Sequence, residues 1–164
     1  MKKILLLSDT HNYIDNKIIE LCNSCDEIWH AGDVGTAKVS DALEKMKPLR
    51  CVYGNIDGED IRKKFPEILR FKCQEVDVMI RHIAGRPEKY IPEIKKVMET
   101  NPPQLFICGH SHILLVKFVK EYNCLHMNPG AAGISGFHQM RTMLRFTIDG
   151  KDIRDLEVIE LGKR

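Results

Sequence analysis

Short apolar runs alternate with amphipathic stretches through the first half of the chain, and this order limits the folds that it can adopt. Residues 4–7, 27–30 and 49–53 have the composition of strands that are covered on both faces. Residues 16–25 and 39–46, which lie between these runs, have the apolar spacing of helices. The order strand, helix, strand, helix, strand predicts parallel pairing with right-handed crossovers.

The second half of the chain predicts more strands than one small sheet can hold. Residues 68–72 and 76–81 predict a hairpin, and residues 90–99 predict a helix that ends before Pro102 and Pro103. Further strands are predicted at residues 105–108, 114–119, 124–127, 144–148 and 156–161. Two sheets packed face to face, with helices on the outer sides, would bury all of these runs. We therefore expect a four-layer α-β-β-α sandwich of mixed sheets, formed as one domain over residues 1–164.

Side chains that can bind a metal ion follow five of the predicted strands. They are Asp9 and His11, then Asp33, Asn55 and His82, and finally His110 and His112. The ends of parallel strands meet at one edge of a sheet, so these side chains should gather in one pocket. If strand geometry continues past Ser8, the side chains of Asp9 and His11 point to the same side. The occurrence of all these residues at strand ends predicts a site for divalent cations, although each motif alone also fits a helix cap or an ordinary turn.

The order of these motifs resembles the calcineurin-like metallophosphoesterase superfamily, whose pattern is D-x-H, G-D, G-N-x-D, a lone histidine and G-H-x-H. The resemblance extends from Ser8 to the turn at residues 128–130, and the chain is similar in size to the compact bacterial and archaeal phosphodiesterases of that superfamily. It implies that one metal ion is held by Asp9, His11 and His112. A second ion would be held by Asn55, His82 and His110, and Asp33 would bridge both ions through its two oxygens.

The resemblance also implies a reaction. Two divalent ions would activate a bridging hydroxide that attacks a phosphoester, most of all a phosphodiester, with Asp33, Asn55 and His110 as catalytic residues. Nitrogen and oxygen ligands without thiolate leave manganese, iron(II), zinc and nickel open, and of these manganese is the favoured expectation.

The chain departs from the family pattern at two positions. Ile56 stands where many members have a histidine that protonates the leaving group, and Ile83 follows His82 where glycine is usual. We therefore expect turnover to depend strongly on the pKa of the leaving group.

Two other function classes stay open beside the phosphodiesterase: a protein-binding scaffold or non-catalytic metal-binding protein on the same fold, and a phosphomonoesterase. The formal net charge is only +2 and no block of like charge occurs, which disfavours nucleic-acid and membrane partners. The expected partners are a small phosphoester substrate and further copies of the chain, as a homodimer or higher homo-oligomer. Six cysteines without a metal-binding pattern, and an apolar run near Met1 that is too short for a signal peptide, predict a cytoplasmic protein.

Four further polar residues are left outside the predicted site. His30 and His126 fit packed structural histidines. His138 and Arg141 belong to the segment after the turn at residues 128–130, where Arg141 could bind a phosphate oxygen but fits a solvated arginine somewhat better.

Overall fold

The computed structural model describes residues 1–164. In chain order its elements are β1 (Lys2–Leu7), α1 (Asn16–Cys22), β2 (Glu27–His30), α2 (Ala37–Glu44), β3 (Leu49–Cys51), α3 (Glu59–Lys64), β4 (Ile68–Cys73), β5 (Val76–Arg81), β6 (Gly85–Arg86), β7 (Lys89–Tyr90), α4 (Pro92–Thr100), β8 (Leu105–Ile107), β9 (Leu114–Val119), β10 (Cys124–Pro129), β11 (Met140–Asp149) and β12 (Asp152–Lys163). None of the helices combines the length and the apolar character needed to cross a lipid bilayer.

The first sheet has the strand order β12-β11-β1-β2-β3. Its strands β1, β2 and β3 pair in parallel, as the alternation of strands and helices predicted. The two long C-terminal strands extend this sheet by antiparallel pairing. Helices α1, α2 and α3 cover the outer face, where Ile18, Val39 and Ile61 pack into one apolar cluster with Leu5 and Ile28.

The second sheet has the strand order β4-β5-β8-β10-β9, with β5, β8 and β10 parallel. Helix α4 covers its outer face through Ile94 and Met98. The inner faces of the two sheets share an apolar cluster that includes Trp29 and Phe146 from the first sheet and Ile80 from the second. The predicted four-layer α-β-β-α architecture is therefore confirmed.

Two short elements were not predicted from the sequence. Helix α3 has six residues and buries only Ile61 among them. The β6–β7 hairpin has two residues in each strand and forms a small sheet of its own. The hairpin lies between β5 and α4, and Gly85, Arg86 and Lys89 of the hairpin form part of a cavity wall.

Candidate metal centre

Every metal-binding residue predicted from the sequence lies just beyond the end of a strand. Asp9 and His11 follow β1, Asp33 follows β2, and Asn55 follows β3. His82 comes directly after β5, and His110 and His112 follow β8. Because these strands run parallel within their sheets, their ends deliver the side chains of all seven residues to one place.

The seven side chains form two groups that share one carboxylate. Ligand atoms of Asp9, His11 and His112 lie within 4.8 Å of one another, and so do those of Asp33, His82 and His110. Asn55 joins the second group, with its Oδ1 at 3.0 Å from Nδ1 of His110. Asp33 Oδ2 lies 3.3 Å from Nε2 of His11 and 3.2 Å from Nε2 of His82. This oxygen therefore stands between the two groups.

The spacing and the unpartnered atoms of the site fit divalent metal ions. Ligand atoms held at ~2.1 Å from one ion and at right angles lie ~3.0 Å apart. The contact of His112 Nε2 with Asp9 Oδ1 is 3.1 Å, close to that value. Asp9 Oδ1, His11 Nε2 and His82 Nε2 are buried and have no hydrogen-bond partner. Buried polar atoms without a partner are costly, and a bound cation would satisfy all three.

One oxygen of each carboxylate is fixed by the protein, which directs the other oxygen toward the histidines. Asp9 Oδ2 accepts hydrogen bonds from the Ser8 hydroxyl at 2.7 Å and from the His110 backbone N–H at 3.1 Å. Asp33 Oδ1 accepts the backbone N–H of Ile56 at 3.1 Å. Asp33 Oδ2 is therefore the oxygen nearest to both groups, and the resemblance implies a bridge between two ions through this carboxylate.

The electrostatics of the site keep both carboxylates ionised. Burial raises the pKa of Asp9, but the nearby imidazoles of His11 and His112 outweigh burial and leave this pKa well below its usual range. The pKa of Asp33 is lowered in the same way, because contacts with His11 and His82 outweigh its burial. In return, the nearby carboxylates of Asp33 and Asp9 raise the pKa of His11 to about 9. These paired carboxylates form an anionic site in which a divalent ion would displace protons from the histidines.

Five of the seven candidate ligands have left-handed backbone conformations. Their φ angles are 54° at Asp9, 45° at His11, 55° at Asp33, 68° at His110 and 58° at His112. The expectation that strand geometry continues past Ser8 was therefore wrong, since β1 ends at Leu7 and the chain then turns. Left-handed backbone costs a residue other than glycine about 1 kcal/mol, and such strain is concentrated at functional sites.

Asp57 holds two of the ligand-bearing loops together. Its buried carboxylate accepts backbone N–H groups from Val34 at 3.1 Å and Gly35 at 2.7 Å, which follow Asp33. It also accepts the N–H of Gly54 at 2.8 Å, directly before Asn55. The last position of the G-N-x-D motif thus fixes the distance between two predicted ligands.

Three hydrogen bonds determine which ring nitrogens of His82 and His112 are free to bind a metal. His82 Nδ1 donates to the carbonyl of Ala31 at 2.7 Å, which leaves Nε2 facing Asp33. His138 Nε2 donates to the carbonyl of Gly133 at 2.8 Å, so its Nδ1 is an acceptor. The Nδ1–H of His112 therefore donates to His138 Nδ1 across 3.2 Å, and Nε2 of His112 faces Asp9. Sequence reasoning missed this role of His138, which lies 26 positions from its partner and belongs to no motif.

The other two histidines are structural, as predicted. His30 is fully buried, accepts the N–H of Gly32 at 3.1 Å and contacts the Thr10 hydroxyl at 3.0 Å. His126 lies 2.9 Å from the Tyr90 hydroxyl. Burial lowers the pKa of each to about 4, so both rings are neutral near pH 7.

Arg141 differs from both of the roles considered for it. It is buried on β11, donates to the Ala132 carbonyl at 2.8 Å and forms an ion pair with Asp15 at 2.9 Å. It is therefore neither solvated nor free to bind a phosphate oxygen.

A cavity of about 220 Å³ opens directly over the candidate ligands. Five of them line it, together with Ser111 and Gly136 and the apolar residues Ile56 and Phe137. Ile56 is 45% exposed and Phe137 is fully exposed. A substrate that reaches the metal-binding side chains would therefore pass an apolar rim.

Comparison with known proteins agrees with the fold and the motifs. A family model described as the calcineurin-like phosphoesterase superfamily domain matches residues 1–151. A probable metallophosphoesterase from Methanothermobacter thermautotrophicus is 24% identical over 162 residues, which are 96% of this chain and 91% of that protein.

Solved structures show the same fold at low sequence identity. Wild-type Vps29 from Entamoeba histolytica, crystallised with zinc, has a TM-score of 0.75 at 15% identity and covers 96% of this chain and 98% of its own. The E. coli phosphoesterase YfcE has a TM-score of 0.68 at 18% identity, with coverage of 94% and 98%. Taken with the family model, the seven gathered side chains identify this chain as a member of the calcineurin-like phosphoesterase superfamily.

Proposed function

We propose that the protein is a metal-dependent phosphoester hydrolase with a dinuclear centre, and that phosphodiesters are its preferred substrates. The observation that carries this proposal is the position of Asp33 Oδ2 between two groups of ligand atoms, at 3.3 Å from His11 and 3.2 Å from His82. A single ion would need only one of these groups. The preference for diesters comes from the likeness to small phosphodiesterases.

The chain offers a complete ligand set for two ions. Asp9, His11 and His112 would hold one ion, and Asn55, His82 and His110 would hold the other, with Asp33 shared between them. Manganese is favoured for this mixture of nitrogen and oxygen donors, and iron(II), zinc and nickel also fit it. The chemistry that two bound divalent ions would supply is a lowered pKa of bound water and compensation of the charge on the phosphoryl oxygens.

The protein groups contribute orientation and contact with the phosphoryl group. Hydrogen bonds from Ser8 and from the backbone of His110 and Ile56 fix the two carboxylates before substrate arrives. Asn55 and His110 are exposed at the mouth of the site. With its Oδ1 directed to His110, the amide of Asn55 has both Nδ2 hydrogens free to donate to a phosphoryl oxygen.

The position after Asn55 offers no acid to the leaving group. Ile56 lines the cavity over the ligands and cannot donate a proton. Leaving groups that are stable as anions, such as nitrophenolate, need no protonation and also suit the apolar rim formed by Ile56 and Phe137. We therefore expect aryl diesters to be the best simple substrates.

Hydrolysis of bis(p-nitrophenyl) phosphate tests the proposal directly. The protein with Mn²⁺ should release nitrophenolate, and EDTA should stop the reaction. Asp33→Asn should lose the activity, whereas Asp152→Asn, a change at an exposed carboxylate on β12, should keep it. A protein that binds two equivalents of Mn²⁺ yet hydrolyses neither this diester nor p-nitrophenyl phosphate would overturn the enzyme proposal and leave the scaffold or non-catalytic alternatives.

A further inference from the structure

A larger cavity of about 460 Å³ lies beside the metal centre. His110 and Ser111 line both this cavity and the smaller one over the candidate ligands, so the two spaces adjoin. The volume is within the range of small-molecule binding sites. A phosphoester bound at the metal centre could therefore place the rest of its structure here.

The β6–β7 hairpin brings two cations to the wall of this cavity. Arg86 and Lys89 are direct partners in the hairpin register, and both line the cavity and are exposed. Neither forms an ion pair with a carboxylate of the protein. The one carboxylate of the hairpin turn, Glu88, pairs instead with Lys117 on β9. Lys117 first, and Arg86 to a smaller extent, lower the pKa of Glu88, so Arg86 interacts weakly with this carboxylate and both cavity cations keep most of their charge available to a ligand.

The remaining lining offers little that competes with an anion. No aspartate or glutamate lines the cavity. Asn128 uses its amide to donate to the Gly109 carbonyl at 3.0 Å and to Ser111 Oγ at 3.0 Å. His126 is bound to the Tyr90 hydroxyl and carries no charge near pH 7.

Apolar side chains complete the lining. Ile113 is 67% exposed, and Leu115 on β9 is half-buried. Exposed apolar side chains of this size, next to cations, suit a ring-containing group that carries an anion.

We infer that this cavity binds the distal part of the substrate, and that Arg86 and Lys89 bind a second phosphate group on it. The inference rests on the proposed function, because it assigns the cavity to the substrate of the metal centre. The substrate class is then a phosphodiester that carries a further phosphate, separated from the scissile one by a unit of nucleoside size. Ile113 and Leu115 would contact the ring of that unit.

A matched pair of substrates tests the inference. One is the p-nitrophenyl ester of thymidine 5′-phosphate, and the other is the same diester with an added 3′-phosphate. With Mn²⁺ bound, the wild-type protein should have a kcat/KM roughly tenfold higher for the 3′-phosphorylated diester, mainly through a lower KM, because the second phosphate binds equally in the ground and transition states.

Two double variants of equal charge change locate the effect. The variant Arg86→Gln with Lys89→Gln should lose the preference and keep the wild-type rate on the diester without the 3′-phosphate. The control variant Lys96→Gln with Lys151→Gln removes two exposed cations that line no part of the cavity, and it should keep the preference. Equal kcat/KM values in the wild type, or a preference that survives in the hairpin variant or disappears in the control, would overturn the inference.

Calorimetric binding separates this inference from the proposed function. If neither thymidine diester, nor bis(p-nitrophenyl) phosphate, nor p-nitrophenyl phosphate is hydrolysed, the proposed function fails, but the cavity can still be tested with thymidine 3′,5′-bisphosphate and thymidine 5′-phosphate. The Mn²⁺-loaded wild type should bind the bisphosphate more tightly, and the hairpin variant should bind both equally. Equal affinities in the wild type would reject the second phosphate site whatever the activity.

Discussion

Divalent metal ions should raise the thermal stability of this protein substantially. Three buried atoms at the candidate centre, Asp9 Oδ1, His11 Nε2 and His82 Nε2, lack hydrogen-bond partners. An unsatisfied buried polar atom costs about 1–3 kcal/mol, so partners for all three would stabilise the fold by at most roughly 3–9 kcal/mol, reduced by the loss of the His11 contact with Asp33 that the metal ion would replace. In a domain of this size each kcal/mol shifts the melting temperature by about 2–4 °C, which predicts an increase on the order of 10 °C.

Scanning calorimetry of EDTA-dialysed protein, with and without saturating Mn²⁺, measures this increase. His82→Ala removes one of the three atoms together with a ligand, so its metal-dependent shift should be clearly smaller than that of the wild type. Asp152→Asn, far from the site in sequence and exposed, should show the full shift. Equal melting temperatures for wild-type protein in EDTA and in Mn²⁺ would show that these atoms do not bind a metal ion.

Three further predictions concern single residues. Ile56→His should place a proton donor in the cavity over the ligands and raise turnover of alkyl esters by roughly 100-fold relative to aryl esters. If the dependence of turnover on leaving-group pKa is the same in the variant and the wild type, this prediction is wrong. His138→Ala should weaken Mn²⁺ binding by about 10–100-fold in a titration, because it removes the acceptor that orients His112; wild-type affinity would argue against that role. Burial lowers the pKa of His126 from 6.5 to about 4 in the folded protein. Between pH 6.5 and pH 4 the imidazole of His126 is therefore protonated in the unfolded chain but neutral in the folded protein. The free energy of unfolding should therefore fall by up to about 3 kcal/mol as the pH falls from 6.5 to 4. Chemical denaturation of the His126→Gln variant should show a weaker pH dependence of this free energy. The same pH dependence in the variant and the wild type would exclude His126 as the cause.

The layers of the fold were predictable because repeated apolar runs, alternating with amphipathic helices, have few ways to be buried. The alternation before residue 54 was enough to predict the parallel arrangement of β1, β2 and β3, and the excess of later strands required a second sheet. Helix α3 and the β6–β7 hairpin escaped prediction for the opposite reason. Each is short and places few apolar side chains in the interior, so its own residues show no periodicity, and the surrounding protein stabilises it.

Residue identities were predictable at the candidate centre, but local geometry was not. Asp9 and His11 were recognised from spacing that assumed a strand, whereas both have left-handed backbone and converge because their N–H groups bond to Gly32 and Asp33 at 3.0 Å. Hydrogen bonds of this kind join distant segments and leave no trace in a local pattern. The same reason explains why His138 and the single inward oxygen of Asp33 became evident only in the folded chain.

The β6–β7 hairpin belongs to neither of the two main sheets, yet it supplies Gly85, Arg86 and Lys89 to the larger cavity. The candidate ligands, by contrast, are anchored at the ends of strands in the core of the molecule. The exposed positions Arg86, Glu88 and Lys89 can therefore change with little disturbance of the candidate ligands, whereas Gly85 and the buried Tyr90 are constrained by the fold. If the larger cavity selects the substrate as inferred, the hairpin cations that recognise it and the strand-end ligands that hold the metal ions lie on separate segments, and substrate preference can change while the ligands stay the same.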